Sequence, residues 1–399
     1  FCNYGDCSIM SEIKVNSIKG VSASTAAISI DNSSGTCTAN ITNNLSNRNL
    51  IINGAMQVAQ RGVTFNSASS GQVATDRFKF EHGGSGLADV INITQKSNAA
   101  RDIGFEHSLK AEVATVDSSL GADHFTQFKY QIETQDIVKQ ASYGLSTAKK
   151  LTLSFYVKSS VTGTFPIAFN DGSGSRSNPH IYTINSADTW ERKTITINGD
   201  TGGNWQSQTN NEAGFGIRWG LAIGSGFFGT ADGNWSADSS YSQLYASYSN
   251  SFITTQGATW ELTGVQLEIG SVATDFEHRP FAQERDLCKR YYQQYPEGPH
   301  NDNFICVPSA IMACNNTTTA YYCPTLNPTM RSSPSFSSSG NFRMNGTASV
   351  NNIAVTAIGV YHNGAATPFQ YASVASGLTA GEAVALSVNN DGNAYIDYN

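Results

Sequence analysis

Apolar and polar residues alternate with a period of two along most of this chain, and stretches of helical period are nearly absent. The runs VINITQK (90–96), HFTQFKYQIET (124–134), KLTLSFYVKSS (150–160) and GTFPIAFND (163–171) all alternate. So do WERKTITING (190–199), FGIRWGLAIGSG (215–226) and TWELTGVQLEIG (259–270). Such runs are half-buried strands, one side chain in and the next out. Turn pairs fall between them at Asn53-Gly54, Asp171-Gly172, Asn198-Gly199 and Asp232-Gly233, where Asn, Asp and Gly tolerate turn backbone. A βαβ fold needs long helical stretches between its strands, and none is present. The pattern therefore predicts an all-β fold, an antiparallel sandwich of the jelly-roll type spanning residues 49–280.

Two further β-rich regions flank it. In residues 1–48, Ile13, Val15 and Ile18, then Ala26, Ile28 and Ile30, alternate in strands too short to form a core. Such a segment is disordered or borrows its core from copies of itself, and the second is expected here. Residues 296–399 form a last β module, with turns at Asn345-Gly346, Asn363-Gly364 and Asp391-Gly392. The exception to the β pattern lies between sandwich and module. After Pro280, the positions Phe281, Leu287, Cys288, Tyr291, Tyr292 and Tyr295 recur at helical spacing, Glu284 sits near the start and Pro296 stops the run. This predicts a connecting amphipathic helix over 281–295. Its stripe suits packing on its own sandwich, or three symmetry-related helices meeting on an axis through Phe281, Leu287, Tyr291 and Tyr295.

Composition narrows the partners. Only 14% of residues are charged, the net charge is -7 and the pI is about 5.5. No basic stripe of the kind that binds phosphate backbones is visible, so nucleic acid is not an expected partner. There is no apolar run of membrane-spanning length, so membrane insertion is not expected. The opening FCNYGDCSIM lacks the basic start and apolar core of a signal peptide. Met10 reads as a normal opening with an upstream extension before it. The seven cysteines are odd in number and contain no CxxC. Cys306, Cys314 and Cys323 are spaced unlike common zinc ligands, so reduced thiols in a cytoplasmic setting are expected.

Catalytic motifs are missing from the sequence. The seven histidines form no HxH, HxxxH or HExxH pair, and there is no P-loop, nucleotide-binding fingerprint or GxSxG. Neither an enzyme nor a cofactor is expected. Glu133, Asp136, Glu261 and Glu268 are the candidates for a glycosidase pair. Glu261 and Glu268 are seven apart on one strand, which places them on opposite faces, and all four read as solvent-facing strand carboxylates. Binding chemistry is better represented. Trp205 and Trp235 lie in Gly/Asn/Ser-rich loops and Tyr241 follows closely. A flat ring in a polar loop stacks on a sugar face while neighbouring amides and carboxylates take its hydroxyls. Such indoles also cap a sandwich end or contact a neighbouring subunit. Trp190, Trp219 and Trp260 lie in strands and read as core.

Two segments carry a resemblance. NRNLIINGAMQVAQRG (47–62), followed by TDRFKF (75–80), resembles the start of a domain found in bacteriophage tail-fibre and related virion proteins. VQLEIGSVATDFEHRPFAQERDLCKRYYQQY (265–295) resembles that domain's end. The opening SEIKVNSIKG is similar to the N-terminal leader of such proteins, particularly in podovirus-like marine phages. The resemblance implies a virion appendage, a homotrimeric fibre whose N-terminal segment grips other tail or head proteins and whose sandwich binds host surface polysaccharide. It implies a protein assembled in the host cytoplasm and located in the virion. The alternatives are a decoration or adaptor protein of head or tail without receptor binding, and a polysaccharide-degrading enzyme.

Overall fold

The computed structural model describes residues 17–18, 28–30, 37–39, 47–86, 90–205, 210–230, 233–238, 241–296, 306–346, 352–388 and 394–399. Two compact units divide the chain, 1–48 and 49–399. In the first, β1 (Ser17–Ile18), β2 (Ile28–Ile30) and β3 (Cys37–Ala39) pair antiparallel in that order. Ile18 is exposed, and Ile28 and Ile30 are half-buried. Ile13, Val15 and Ala26 lie outside the described residues, as do Asp232, Asp391 and Gly392 of the expected turns.

The second unit opens with the jelly-roll sandwich. Its strands are β4 (Thr64–Phe65), β5 (Lys79–Gly83), β6 (Val90–Ala100), β7 (Phe105–Thr115), β8 (Phe125–Glu133) and β9 (Leu151–Ser159). They continue with β10 (Gly163–Asp171), β11 (Arg176–Ile184), β12 (Glu191–Ile197), β13 (Ala213–Ile223), β14 (Ser236–Ala237) and β15 (Thr259–Ile269). The front sheet has the order β14-β11-β10-β13-β8-β5 and the back sheet β12-β9-β15-β7-β6-β4. The chain crosses repeatedly between sheets, so that β13 lies between β10 and β8, and β15 between β9 and β7.

Alternate residues of both sheets fill the space between them. Phe128, Phe165, Ile217 and Trp219 come from the front, and Leu109, Leu153, Phe155 and Trp260 from the back, all buried. Trp260 stacks on Phe128 at 5.6 Å, and its indole N–H donates to the Tyr182 hydroxyl at 2.9 Å. Each such ring contributes about 1.5–3 kcal/mol through burial. A short helix, α1 (Thr134–Ala141), follows β8 and buries Thr134, Ile137, Val138 and Ala141 at helical spacing.

One irregularity in β15 reverses an expectation. Thr263 opposes Tyr156 but Gln266 opposes Ser154, so three residues of β15 advance against two of β9, a β-bulge. Gly264 sits inside it at φ 60°, where a Cβ would meet the Phe105 ring at 2.6 Å. The extra residue shifts the pleat, so Glu261 (opposite Lys158) and Glu268 (opposite Thr152) share one face rather than lying on opposite faces. Neither faces solvent; they are 3% and 0% exposed. Glu261 accepts from Lys96 at 3.0 Å and Ser108 at 2.9 Å. Glu268 holds the Thr274 amide and hydroxyl.

The connecting helix is also shorter than expected. α2 (Phe281–Lys289) is nine residues long, not the full 281–295 span, and buries Glu284 and Cys288 rather than Phe281 or Leu287. Phe281 is 53% exposed and Leu287 half-buried. Tyr291 and Tyr295 lie beyond its end. The helix stops because Arg290 reaches Glu133 at the end of β8 through two 2.8 Å bonds. The Tyr291 hydroxyl adds a third at 2.6 Å, and the next residues already pair as a strand.

That strand begins the C-terminal module, β16 (Gln293–Tyr295), β17 (Cys306–Cys314), β18 (Thr319–Tyr322), β19 (Phe336–Ser339) and β20 (Phe342–Asn345). β21 (Ile353–His362), β22 (Phe369–Val374), β23 (Ala383–Val388) and β24 (Tyr395–Tyr398) complete it. β17-β18-β22-β21-β20-β23 close into a barrel, and β16-β24-β19 form a small sheet beside it. Met312, Met344, Leu386, Ile396 and Tyr398 fill its core.

The segments 47–62 and 265–295, far apart in sequence, pack on each other. Leu50 donates its amide to the Leu267 carbonyl at 2.9 Å, and Asn49 donates to Glu277 at 2.9 Å. Arg279 donates to the Ile51 carbonyl at 2.9 Å, and Glu284 accepts the Asn53 amide. Arg61 lies 3.7 Å over the Tyr292 ring. This buried polar clasp ties the entry of the sandwich to its exit.

Candidate functional site

On the front sheet, the residues that alternate with the core positions point outward. The register sets Glu81 beside Gln127 and Lys79 beside Lys129, then Lys129 beside Arg218. Acid, amide and three cations thus form one contiguous patch on three strands. The segment between β13 and β15 folds over this patch and lays Phe227, Tyr241, Leu244 and Tyr245 against it. Between segment and sheet lies an open cavity of about 320 Å³ lined by both sets of groups, the scale of a small-ligand pocket.

Arg218 organises the floor. It is 5% exposed, and a cation buried to that degree needs partners. Its Nε donates to Asn170 Oδ1 at 3.1 Å and its Nη1 to Glu81 Oε2 at 3.3 Å. The guanidinium carbon lies 4.7 Å from the Tyr241 ring centre, a cation–π contact of about 0.5–2 kcal/mol. Glu81 also accepts from Gln127 at 2.9 Å, and lies 3.3 Å from Lys79 and 3.5 Å from Lys129. Burial pushes the Glu81 carboxyl upward, but Lys129, Arg218 and Lys79 outweigh it and hold the group below its ordinary range. Lys129 is likewise moved below its ordinary value, by burial and then by the like charge of Arg218.

Local backbone places the ring. Tyr241 adopts φ 65° and Gly174, in the β10–β11 turn, φ 73°. A Cβ on Gly174 would stand 2.5 Å from the tyrosine ring, so the glycine leaves the space that the ring occupies. Tyr245 is fully buried behind it and donates its hydroxyl to Gln127 Oε1. The result is a half-exposed aromatic face above a fixed array of carboxylate, amide, ammonium and guanidinium groups. Vicinal hydroxyls pair with such an array as both donors and acceptors, and the apolar face of a sugar ring matches the tyrosine.

Of the residues singled out by sequence, Tyr241 is in this site and the two loop tryptophans are not. Trp205 is 0% exposed, with its N–H bound to Asp200 Oδ2 at 2.9 Å and both Tyr143 and Trp235 edge-on to it. No ring face is left for a sugar, because Asp200 satisfies the indole and lets it sink into the core. Trp235 is half-buried against that same core, with its N–H on the Asn198 carbonyl at 2.7 Å. Trp219 and Trp260 are core as expected, whereas Trp190 precedes β12, half-buried, donating to the Ala99 carbonyl. Among the carboxylates, Glu133, Glu261 and Glu268 are each committed to structural hydrogen bonds.

Sequence reading missed Glu81, Gln127, Lys129 and Arg218. Each stands alone on its strand, and only register joins them. The one available signal was Arg218, a charge inside the strongly apolar run FGIRWGLAI, where a buried cation demands a paired acid.

No family model and no curated protein matches the chain. Among solved structures, it is similar to the enzymatically active domain of tailspike protein 4 of bacteriophage CBA120, at 15% identity and a TM-score of 0.29. That likeness covers 51% of this chain and 21% of the tailspike chain, so the chain spans about a fifth of that neighbour. A CBM4 carbohydrate-binding module is similar at 12% identity and TM-score 0.29, over 54% of this chain and 97% of its own. A family 11 carbohydrate-binding module of a Clostridium thermocellum cellulosomal cellulase is similar at 11% identity and TM-score 0.26, over 53% and 99%.

Proposed function

We propose that this chain is a glycan-binding structural protein of a bacteriophage virion, a tail fibre or fibre-like appendage, and that it binds rather than cleaves. The observation that carries the reading is the Tyr241 cavity, an aromatic face held by Arg218 above Glu81, Gln127 and Lys129. Support also comes from the two segments that resemble phage fibre proteins. They are the two halves of the clasp around the sandwich. On this reading the N-terminal segment attaches to other virion proteins, the chain assembles as a homotrimer in the host cytoplasm, and the sandwich meets host surface polysaccharide.

The test is retention of the purified chain on host cells and on their extracted polysaccharide, comparing wild type with Tyr241→Ala. Retention that drops tenfold or more in the variant supports the reading. Wild type that binds neither cells nor polysaccharide would leave a decoration or adaptor protein as the better description. Release of reducing ends from the polysaccharide would replace binding with catalysis.

A further inference from the structure

A second cavity, of about 360 Å³, lies where the front sheet meets the C-terminal module. Its charged side chains are Arg61, Arg77, Lys79, Lys129 and Arg331 against one acidic side chain, Glu133. Five cations thus face one acid in a chain whose net charge is -7. That acid is already occupied by Arg290 and Tyr291. Arg61 has Asp76 at 3.7 Å, and Lys79 and Lys129 share Glu81. Among the described residues, neither Arg77 nor Arg331 is in an ion pair: Arg331 donates to the Asn211 carbonyl at 2.6 Å, and Arg77 donates to the Gln131 carbonyl.

Arg77 is the most informative of these groups. Its guanidinium lies 3.3 Å over the Tyr291 ring, and its Nε is buried without a hydrogen-bond partner. Its backbone sits at φ 78°, a strained conformation for a side chain of this size. Cations gathered out of water without counter-charges are costly, and a bound anion relieves that cost. Lys129 lines this cavity and the Tyr241 cavity alike, so one polymer lying across the front sheet reaches both.

We propose that this second cavity is an anion subsite, and that it seats the carboxylate of an acidic sugar in the same polysaccharide whose ring faces Tyr241. The proposal rests on the glycan-binding reading above and narrows the ligand to an acidic polysaccharide. A carboxylate there takes charge-assisted, forked hydrogen bonds from Arg331 and Arg77, while the ring-stacking site selects no charge.

The experiment is affinity electrophoresis of the full chain through gels holding polygalacturonate, alginate or hyaluronan, each beside its carboxyl-reduced counterpart. Wild type is expected to be retarded by at least one acidic polymer and about tenfold less by its reduced form, with the difference shrinking at high salt. Arg331→Gln should lose that difference and Arg331→Lys, which keeps the charge but not the fork, retain only part of it, with circular dichroism confirming that both fold. Tyr241→Ala should weaken retardation on acidic and reduced polymers together. Equal retardation by both forms would overturn the acidic subsite while leaving the glycan reading intact. Inorganic phosphate that binds Tyr241→Ala as tightly as polymer binds wild type would mark a free-anion site and also overturn it. Retardation by none of the six polymers would count against the glycan reading itself, and this proposal with it.

Discussion

At the scale of single residues, the candidate site is a matter of which rings are locked and which remain available. Tyr241→Ala removes a half-exposed ring and one cation–π contact, so stability should fall by only about 1 kcal/mol while ligand retention collapses. Thermal melting beside a binding assay checks both halves. Trp235→Ala should behave the opposite way. Its indole is wedged edge-on against Trp205 and Tyr143, and its loss should cost about 2 kcal/mol, below the range for fully buried indoles. An unchanged melting temperature in that variant would return Trp235 to the ligand-facing surface. Gly174→Ala provides an independent probe, since its Cβ would press into the Tyr241 ring. Binding should weaken without any change to a group that touches ligand. Tyr241 was legible in the sequence as an aromatic in a polar loop, and Trp205 misled for the same reason. Local composition described the loop, but the acceptor that buries the indole, Asp200, acts through folded geometry.

Between elements, legibility followed period and length. Strands such as Leu151–Ser159 and Gly163–Asp171 alternate over nine residues and were readable almost to their ends. Arg176–Ile184 was not, because Pro179 and a run of polar residues mask a strand whose outer face is half-covered. α1 spans eight residues, too few for its spacing to stand out from the strand before it. α2 was foreseen, but its end was not. A fork from Arg290 to Glu133 decides that end, and no helical period records such a contact. Glu133→Ala should therefore lower stability by about 1–2 kcal/mol, because charge-assisted hydrogen bonds from Arg290 and Tyr291 are lost while the partly exposed Arg290 can turn to water, measurable by urea unfolding. Phe281 and Leu287, on the less buried side of the helix, are the residues left for contact between copies. On the trimeric reading proposed above, Leu287→Asp should abolish assembly without unfolding the chain. A normal trimer mass in that variant would show that α2 serves only its own subunit.

For the whole molecule, mass and acid response are the informative observables. On the trimeric reading proposed above, light scattering with and without residues 1–48 should give three chains and one chain respectively. Acid should act through Glu81 and Glu133, both held below the ordinary carboxylate range in the folded state. For Glu133, burial is outweighed by Arg290 and Tyr291. Groups depressed in this way stabilise above their unfolded value, near 4.3, and lose that contribution as pH falls toward the folded one. Melting temperature should thus drop below about pH 4.

The clasp between residues 47–62 and 265–295 has a mechanical meaning. Because the chain enters and leaves the sandwich at neighbouring points, a pull between residues 48 and 296 loads the clasp first. The two sheets sit to the side of that load path, like a pendant on a closed loop. If the chain is the appendage proposed above, it would transmit tension without deforming its front sheet, and the sandwich would unravel only after Arg279, Glu284 and their partners have let go.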